Sequence, residues 1–169
     1  EFTGSDQDYN KLSKIWEQVA NHFSAYALSE VIFEVFNEPH SSHEAELIIN
    51  TSLDAIRSST GNEERIVIVP GDGFSTRQAL IDAFNNDEIP FDDPYLIGTF
   101  HYYDPFSFTK VSNTNPGYNP VWGTTAELAQ VATDFNAVVS ANNNWATRNL
   151  TEPLPIYLGE FGVDNEADN

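Results

Sequence analysis

A chain of 169 residues, 40% hydrophobic and 13% aromatic, has ample apolar mass for one folded domain and is not disordered. Seven Lys and Arg against 26 Asp and Glu leave a formal charge of −19, which excludes a sequence-independent grip on nucleic acid and disfavours an anionic membrane surface. Without Cys there is no disulfide, thiolate nucleophile or thiolate metal site. Such an acidic surface favours a neutral or cationic partner. No apolar run is long enough to span a bilayer. The chain opens on Glu1-Phe2 with no Met and no leader pattern, and reads as a processed or excised piece, with Glu1-Phe2 equally readable as a cloning scar.

Residues 6–27 carry Leu12, Ile15, Trp16, Val19, Phe23 and Tyr26 on steps of three and four, which predicts a helix. Val31-Ile32-Phe33-Glu34-Val35-Phe36 predicts a first strand. Ser41 and Glu44 have capping-box spacing, and a helix is expected from there to about Ser59. Arg65-Ile66-Val67-Ile68-Val69 predicts the second strand. Ser75 and Gln78 have capping-box spacing ahead of Ala79, Leu80, Ala83 and Phe84. Tyr95-Leu96-Ile97-Gly98-Thr99-Phe100 predicts the third strand. After a long aromatic loop, Thr124 and Glu127 repeat the capping pattern. Leu128, Val131, Ala132, Phe135, Val138 and Val139 then stripe a helix. Ile156-Tyr157-Leu158-Gly159 predicts the fourth strand.

Strands joined through helices are parallel, and near-continuous apolar runs suit burial on both faces. The alternation fits a doubly wound sheet or a (β/α)8 barrel. The chain has no G-x-G-x-x-G run, phosphate-binding G-x-x-x-x-G-K loop or G-x-S-x-G elbow, which disfavours a nucleotide-binding domain. In both architectures function gathers at the C-terminal strand ends. Here those ends read Asn37-Glu38-Pro39-His40, Pro70-Gly71-Asp72-Gly73-Phe74, His101-Tyr102-Tyr103-Asp104-Pro105-Phe106 and Glu160-Phe161-Gly162.

A carboxylate at such a place is costly to bury without partners. One Glu alone reads best as a strand cap. Two on separate strands, Glu38 and Glu160, with His101 and Tyr103 between, suit glycoside cleavage, which needs one protonated carboxyl and one ionised.

Three segments carry a resemblance: Val31-Ile32-Phe33-Glu34-Val35-Phe36-Asn37-Glu38-Pro39, then Gly98 through Thr109, then Tyr157-Leu158-Gly159-Glu160-Phe161-Gly162. Together they resemble glycoside hydrolase family 5, the cellulase and mannanase family. The resemblance implies a partial TIM-type (β/α)8 barrel supplying strands four to seven in one truncated catalytic-type domain, residues 1–169. It implies Glu38 as general acid/base, Asn37 as donor to a sugar 2-hydroxyl, and Glu160 as nucleophile of a retaining double displacement. His101 and Tyr103 would orient the substrate and hydrogen-bond the nucleophile. The family's Arg and His on the second and third strands and its eighth-strand Trp have no counterpart here.

The expected activity is that of an endo-β-1,4-glycanase, an endoglucanase acting on β-glucan or a related polysaccharide, secreted, with no cofactor. The alternative is a non-catalytic half-barrel remnant. Sugar rings present apolar C–H faces, so Trp122 and Phe74 are expected sugar contacts, while Phe106 and Phe108 are expected to pack the loop. No metal site is expected: His40 and His43 beside Glu38, Glu44 and Glu46 read as a solvated helix start. Four parallel strands leave two open edges, so a homodimer is expected.

Overall fold

The apolar runs fold as the alternation predicts, in a computed structural model that describes residues 2–40, 44–110, 117, 119 and 121–163. The elements are α1 (Asp6–Phe23), β1 (Phe33–Glu34), α2 (Ala45–Arg57), β2 (Val67–Pro70), α3 (Arg77–Asn85), β3 (Leu96–Tyr102), α4 (Phe106–Thr109), α5 (Thr125–Asn149) and β4 (Ile156–Phe161). The strands form one parallel sheet in the order β1-β2-β3-β4. Sequential order means that every right-handed crossover moves in the same direction and sets its helix on the same face. A doubly wound sheet reverses its order at a switch point, and this one does not. The four strands are therefore an arc of a (β/α) barrel, as expected.

The core lies between the convex face of the arc and its helices. Phe33, Val35, Val67, Val69, Leu96 and Phe100 point outward and are all buried. They meet Ile48, Ile49 and Ile56 of α2, Leu80 and Phe84 of α3 and Trp145 of α5. On the concave side Ile32 and Tyr157 stay exposed at 52% and 46%. Among the described residues, β1 pairs only with β2 and β4 only with β3, so both edges are open.

Several local expectations shift. The buried face of α1 runs Asp8, Leu12, Trp16, Ala20 on steps of four, which turns Ile15 outward. Tyr26 lies beyond the helix end and is exposed. Trp16 Nε1 donates to Val35 O at 3.2 Å and ties the helix to the first strand. β1 is only two residues long, although Phe33 and Val35 N–H groups bond to Ile66 and Ile68 across it.

Helix α2 starts at Ala45 with no side-chain cap from Glu44, and Ser41 lies outside the described residues. The expected Ser75–Gln78 box does not form. Ser75 takes a left-handed backbone, so Thr76 caps α3 by accepting from Ala79 N, and Gln78 bonds Asp82 instead. The Thr124–Glu127 box does form. Along α5, Leu128 and Val139 face solvent, while Asp134, Val138, Ala141, Asn142, Trp145 and Ala146 are buried. Polar Asp134 and Asn142 hold positions on that face because each finds partners there: Tyr102 OH donates to Asp134 at 2.8 Å, and Asn142 bonds both backbone groups of Leu154.

Candidate active site

Each loop that follows a strand delivers one part of the site. After β1, Glu38 sits in the left-handed region at φ 49°, which costs a residue with a Cβ about 1–2 kcal/mol. After β2, Phe74 and Ser75 are also left-handed, at φ 62° and 53°. Phe74 N donates to Pro39 O at 2.8 Å, and Ser75 O accepts from His101 N at 2.7 Å. The loops after β1 and β2 and the end of β3 are thus laced together by backbone bonds, which offset such strain.

Between β3 and β4 the register slips. Phe100 pairs with Leu158, but His101 pairs with Glu160, so Gly159 and Glu160 together oppose one residue. A bulge re-aims a side chain at the end of a strand. Strict alternation would send Glu160 to the helix side; the bulge brings it onto the concave face beside His101. Gly159 must lack a side chain for this: a Cβ there would lie 2.8 Å from Thr99 Oγ1 and 3.2 Å from the His101 ring. Gly159→Ala is therefore expected to displace His101 and to lower turnover of the complete barrel about 100-fold, the scale of a misplacement near 1 Å. Overpacking should also cost about 1–3 kcal/mol. Wild-type kcat in the Ala variant would contradict this account of the bulge.

The result is a tight constellation. His101 Nδ1 lies 2.9 Å from Glu38 Oε1 and 3.4 Å from Glu160 Oε2. The His101 side chain is 4% exposed, whereas Glu38 and Glu160 open to solvent at 33% and 41%. Tyr103 OH donates to Glu160 Oε2 at 2.8 Å. That bond, more than desolvation, holds the phenol above its ordinary pKa and keeps it a donor. Thr109 Oγ1 donates to Tyr103 O and fixes the loop behind it. Lys110 Nζ stands 4.0 Å from the centre of the Tyr103 ring.

Glu38, His101, Tyr103 and Lys110 line a cleft of about 390 Å³ with Phe74, Thr76, Asp104 and Phe106. Phe74 is 53% exposed and stacks on His40 at 4.3 Å with ring planes 7° apart, a flat aromatic platform beside Glu38. A larger hollow of about 490 Å³ is lined by Asn50, Asp54, Glu63 and the Arg57–Asp93 pair. None of its lining residues belongs to the loops that follow the strands, where (β/α) barrels keep their chemistry.

Glu38, Phe74, His101, Tyr103 and Glu160 are thus brought together. Asn37 is exposed beside Glu38. Trp122 does not line this cleft; it stacks on Phe108 at 5.8 Å and borders two neighbouring hollows. Phe106, read from the sequence as loop packing, is 53% exposed and lines the cleft. Its position directly after the His-Tyr-Tyr-Asp-Pro run was the available signal. Of the two histidines set aside as a metal site, His40 bonds Glu38 O and stacks on Phe74, and His43 lies outside the described residues.

Glu34, on the concave side of β1, was not singled out from the sequence. Loss of water raises its carboxyl above the ordinary glutamate range, and the charge of Glu160 adds to this, while His101 opposes it. The folded chain therefore holds that proton more tightly than the unfolded chain. Stability falls as pH rises through the window between the ordinary and the raised value, and remains lower at neutral pH. Glu34→Gln is expected to raise the midpoint of thermal unfolding at neutral pH and to leave it unchanged in buffer below the ordinary glutamate pKa. A lower midpoint at neutral pH would contradict the sign.

The family model described as Cellulase (glycosyl hydrolase family 5) matches residues 2–169. Endoglucanase H of Acetivibrio thermocellus is 38% identical over 168 residues, covering 96% of this chain and 16% of that protein. Endoglucanase B of Clostridium cellulovorans is 28% identical over 171 residues, covering 92% of this chain and 36% of that protein. Among solved structures, a hyperthermophilic endo-β-1,4-glucanase in complex with substrate superposes with a TM-score of 0.78 at 31% identity, over 99% of this chain and 52% of that one. A mutant form of Thermotoga maritima Cel5A in complex with cellobiose superposes with a TM-score of 0.74 at 25% identity, over 96% of this chain and 50% of that one. The chain spans about half the length of these solved relatives, in keeping with half of a barrel. With the family model matched along its length and paired carboxylates at its strand ends, the chain belongs to glycosyl hydrolase family 5, the cellulase family.

Proposed function

We propose that this chain carries the catalytic pair of a retaining endo-β-1,4-glycanase that cleaves β-glucan by double displacement. The observation that bears most weight is the closeness of the two carboxylates: one oxygen of Glu38 and one of Glu160 lie within 4.8 Å of each other. Retaining enzymes hold their carboxyl groups about 5–5.5 Å apart, and inverting enzymes about 6.5–9.5 Å apart, to admit a water. In the proposed first step Glu160 attacks the anomeric carbon. Glu38 gives its proton to the departing glycosidic oxygen. In the second step Glu38 takes a proton from water, which attacks the same carbon and releases Glu160.

Tyr103 directs one Glu160 oxygen and leaves the other for the sugar. His101 stands between the two carboxylates and fixes their spacing. Asn37 is assigned to the 2-hydroxyl, and the Phe74 platform and Trp122 to sugar faces, with Trp122 serving a more distant ring. The substrate, a polymer found outside cells, makes the parent product an exported one. A parent gene that encodes no export signal would count against this.

Turnover requires the concave face to be closed. Ile32, Tyr157, Phe161 and Val163 are exposed there or at the rim, at 52%, 46%, 73% and 52%, and among the described residues both sheet edges are open. Natural sheets cover such edges. Where no further strands of the same polypeptide are present, a symmetric dimer is the proposed closure, with β4 of one copy beside β1 of the other. Two chains of charge −19 repel, so association is expected to tighten as salt screens them. Sedimentation across a salt series tests this: a well-folded monomer at every concentration would rule out the dimer.

A further inference from the structure

We propose that Glu38, His101 and Glu160 form a binding site for a single divalent transition-metal ion at the floor of the cleft. One donor atom from each residue lies within 4.8 Å of the other two. The two edges that meet at His101 Nδ1 measure 2.9 Å and 3.4 Å. An ion bound at about 2.0–2.2 Å sets adjacent ligand atoms about 2.9 Å apart in an octahedron and about 3.4 Å apart in a tetrahedron. Two of the three edges therefore already have the dimensions of a coordination sphere. Closing the third edge requires the partly exposed Glu38 and Glu160 side chains to shift, with the Tyr103 bond to Glu160 Oε2 moving with them.

A neutral imidazole nitrogen carries at most one hydrogen, so Nδ1 donates to only one of the two carboxylates it faces. The other oxygen, Glu160 Oε2 at 3.4 Å, takes its hydrogen from Tyr103 OH at 2.8 Å instead. Glu34 adds a further carboxyl close enough to feel both His101 and Glu160. No compensating cation is in contact: among the described residues Arg77 pairs with Asp104 and Asp134, and Lys110 stands over the Tyr103 ring. A dication relieves this excess of negative charge, and a lone proton on His101 does so only in part.

The site is also preorganised. His101 is held by its backbone bond to Ser75 O and is nearly fully buried, so its nitrogen is presented at little entropic cost. One imidazole nitrogen with two carboxylate oxygens suits Zn2+, Ni2+, Co2+ or Cu2+, with Cu2+ bound tightest, and offers little to Mg2+ or Ca2+. Coordination positions toward the cleft remain for water. An ion seated there engages both carboxylates, so it and a glycan exclude each other. Binding itself goes beyond the glycanase reading and does not depend on turnover.

The test is calorimetric titration of the chain with Zn2+, paired with the visible spectrum of Co2+, in a non-chelating buffer at neutral pH and moderate salt. Wild type, Glu38→Gln and Glu160→Gln are compared after circular dichroism shows all three folded; both side chains are partly exposed, so the fold should hold. The expected result is one equivalent bound, with each Gln variant weakening affinity more than about tenfold. Glu46→Gln, outside the cleft, should leave it unchanged. Several weak equivalents with the same affinity in all variants would mean scavenging by the acidic surface and would overturn the site, as would no binding of either ion.

Discussion

Glu160→Gln in the complete barrel, made by joining this chain to the complementary strands of a family member, is expected to lower kcat by about 10⁴-fold or more. Losses of that order follow removal of a covalent nucleophile. Glu38→Gln is expected to cost about 10²–10⁴-fold, the range of a general acid, and less on substrates whose leaving group needs no proton. The difference between the two follows from their roles. A good leaving group departs without Glu38, whereas nothing in the described cleft replaces the bond that Glu160 makes. Neither change should unfold the chain, because both carboxylates are partly open to solvent. Assays on aryl cellobiosides of graded leaving-group acidity separate the two roles. Full activity in either variant would remove that residue from the mechanism.

Arg65→Met is expected to have the largest effect on stability, about 3–5 kcal/mol. Arg65 is fully buried and, among the described residues, has no carboxylate partner. Its guanidinium instead reaches Asn62 Oδ1 at 2.5 Å and the carbonyls of Val31 at 2.8 Å, Tyr26 at 3.0 Å and Phe23 at 3.1 Å, and lies over the Phe33 ring at 5.2 Å. Those carbonyls belong to the end of α1 and the turn that leads into β1, where a cation also meets the negative end of the helix. Methionine fills much of the volume but leaves the acceptors unpaired in a dry interior, and that orphaning is the main cost. Lysine cannot supply five donors in one plane, so Arg65→Lys should recover only part of the loss. Against a total of about 5–15 kcal/mol, the Met variant is close to unfolding. Since this turn sets where β1 begins, Glu38 should shift with it. Denaturant midpoints at constant slope give the number; a loss below about 1 kcal/mol would contradict the reading.

The site was legible in the sequence to the extent that chemistry sits at the ends of apolar runs. Glu38, His101, Tyr103 and Glu160 stand immediately after strand-forming residues, and parallel strands bring such ends to one edge. The rest depended on contacts that periodicity does not encode. Strict alternation at β4 points Glu160 to the wrong face, and only the pairing with β3 reveals the bulge. The φ 53° backbone of Ser75 moved the start of α3 by one residue, because the carbonyl of Ser75 is needed by His101. Ile15 fits an apolar stripe but is 54% exposed, because the face of α1 that meets the core is set by its neighbours and includes capping Asp8. Phe74 and His40 are 34 positions apart in the chain, and their stacking came only with the backbone bond from Phe74 to Pro39.

The most direct test of the central claim, that Glu160 is the nucleophile of a retaining site carried by this half of the barrel, is chemical rescue. Glu160→Gly in the complete barrel, supplied with azide and an activated aryl β-cellobioside, opens room for a small anion on the face that Glu160 occupied. The account predicts renewed turnover that yields α-cellobiosyl azide, read by proton NMR from the anomeric coupling. Formation of the β-azide in that variant, or rescue by azide of Glu38→Gly through the α-product instead, would contradict it.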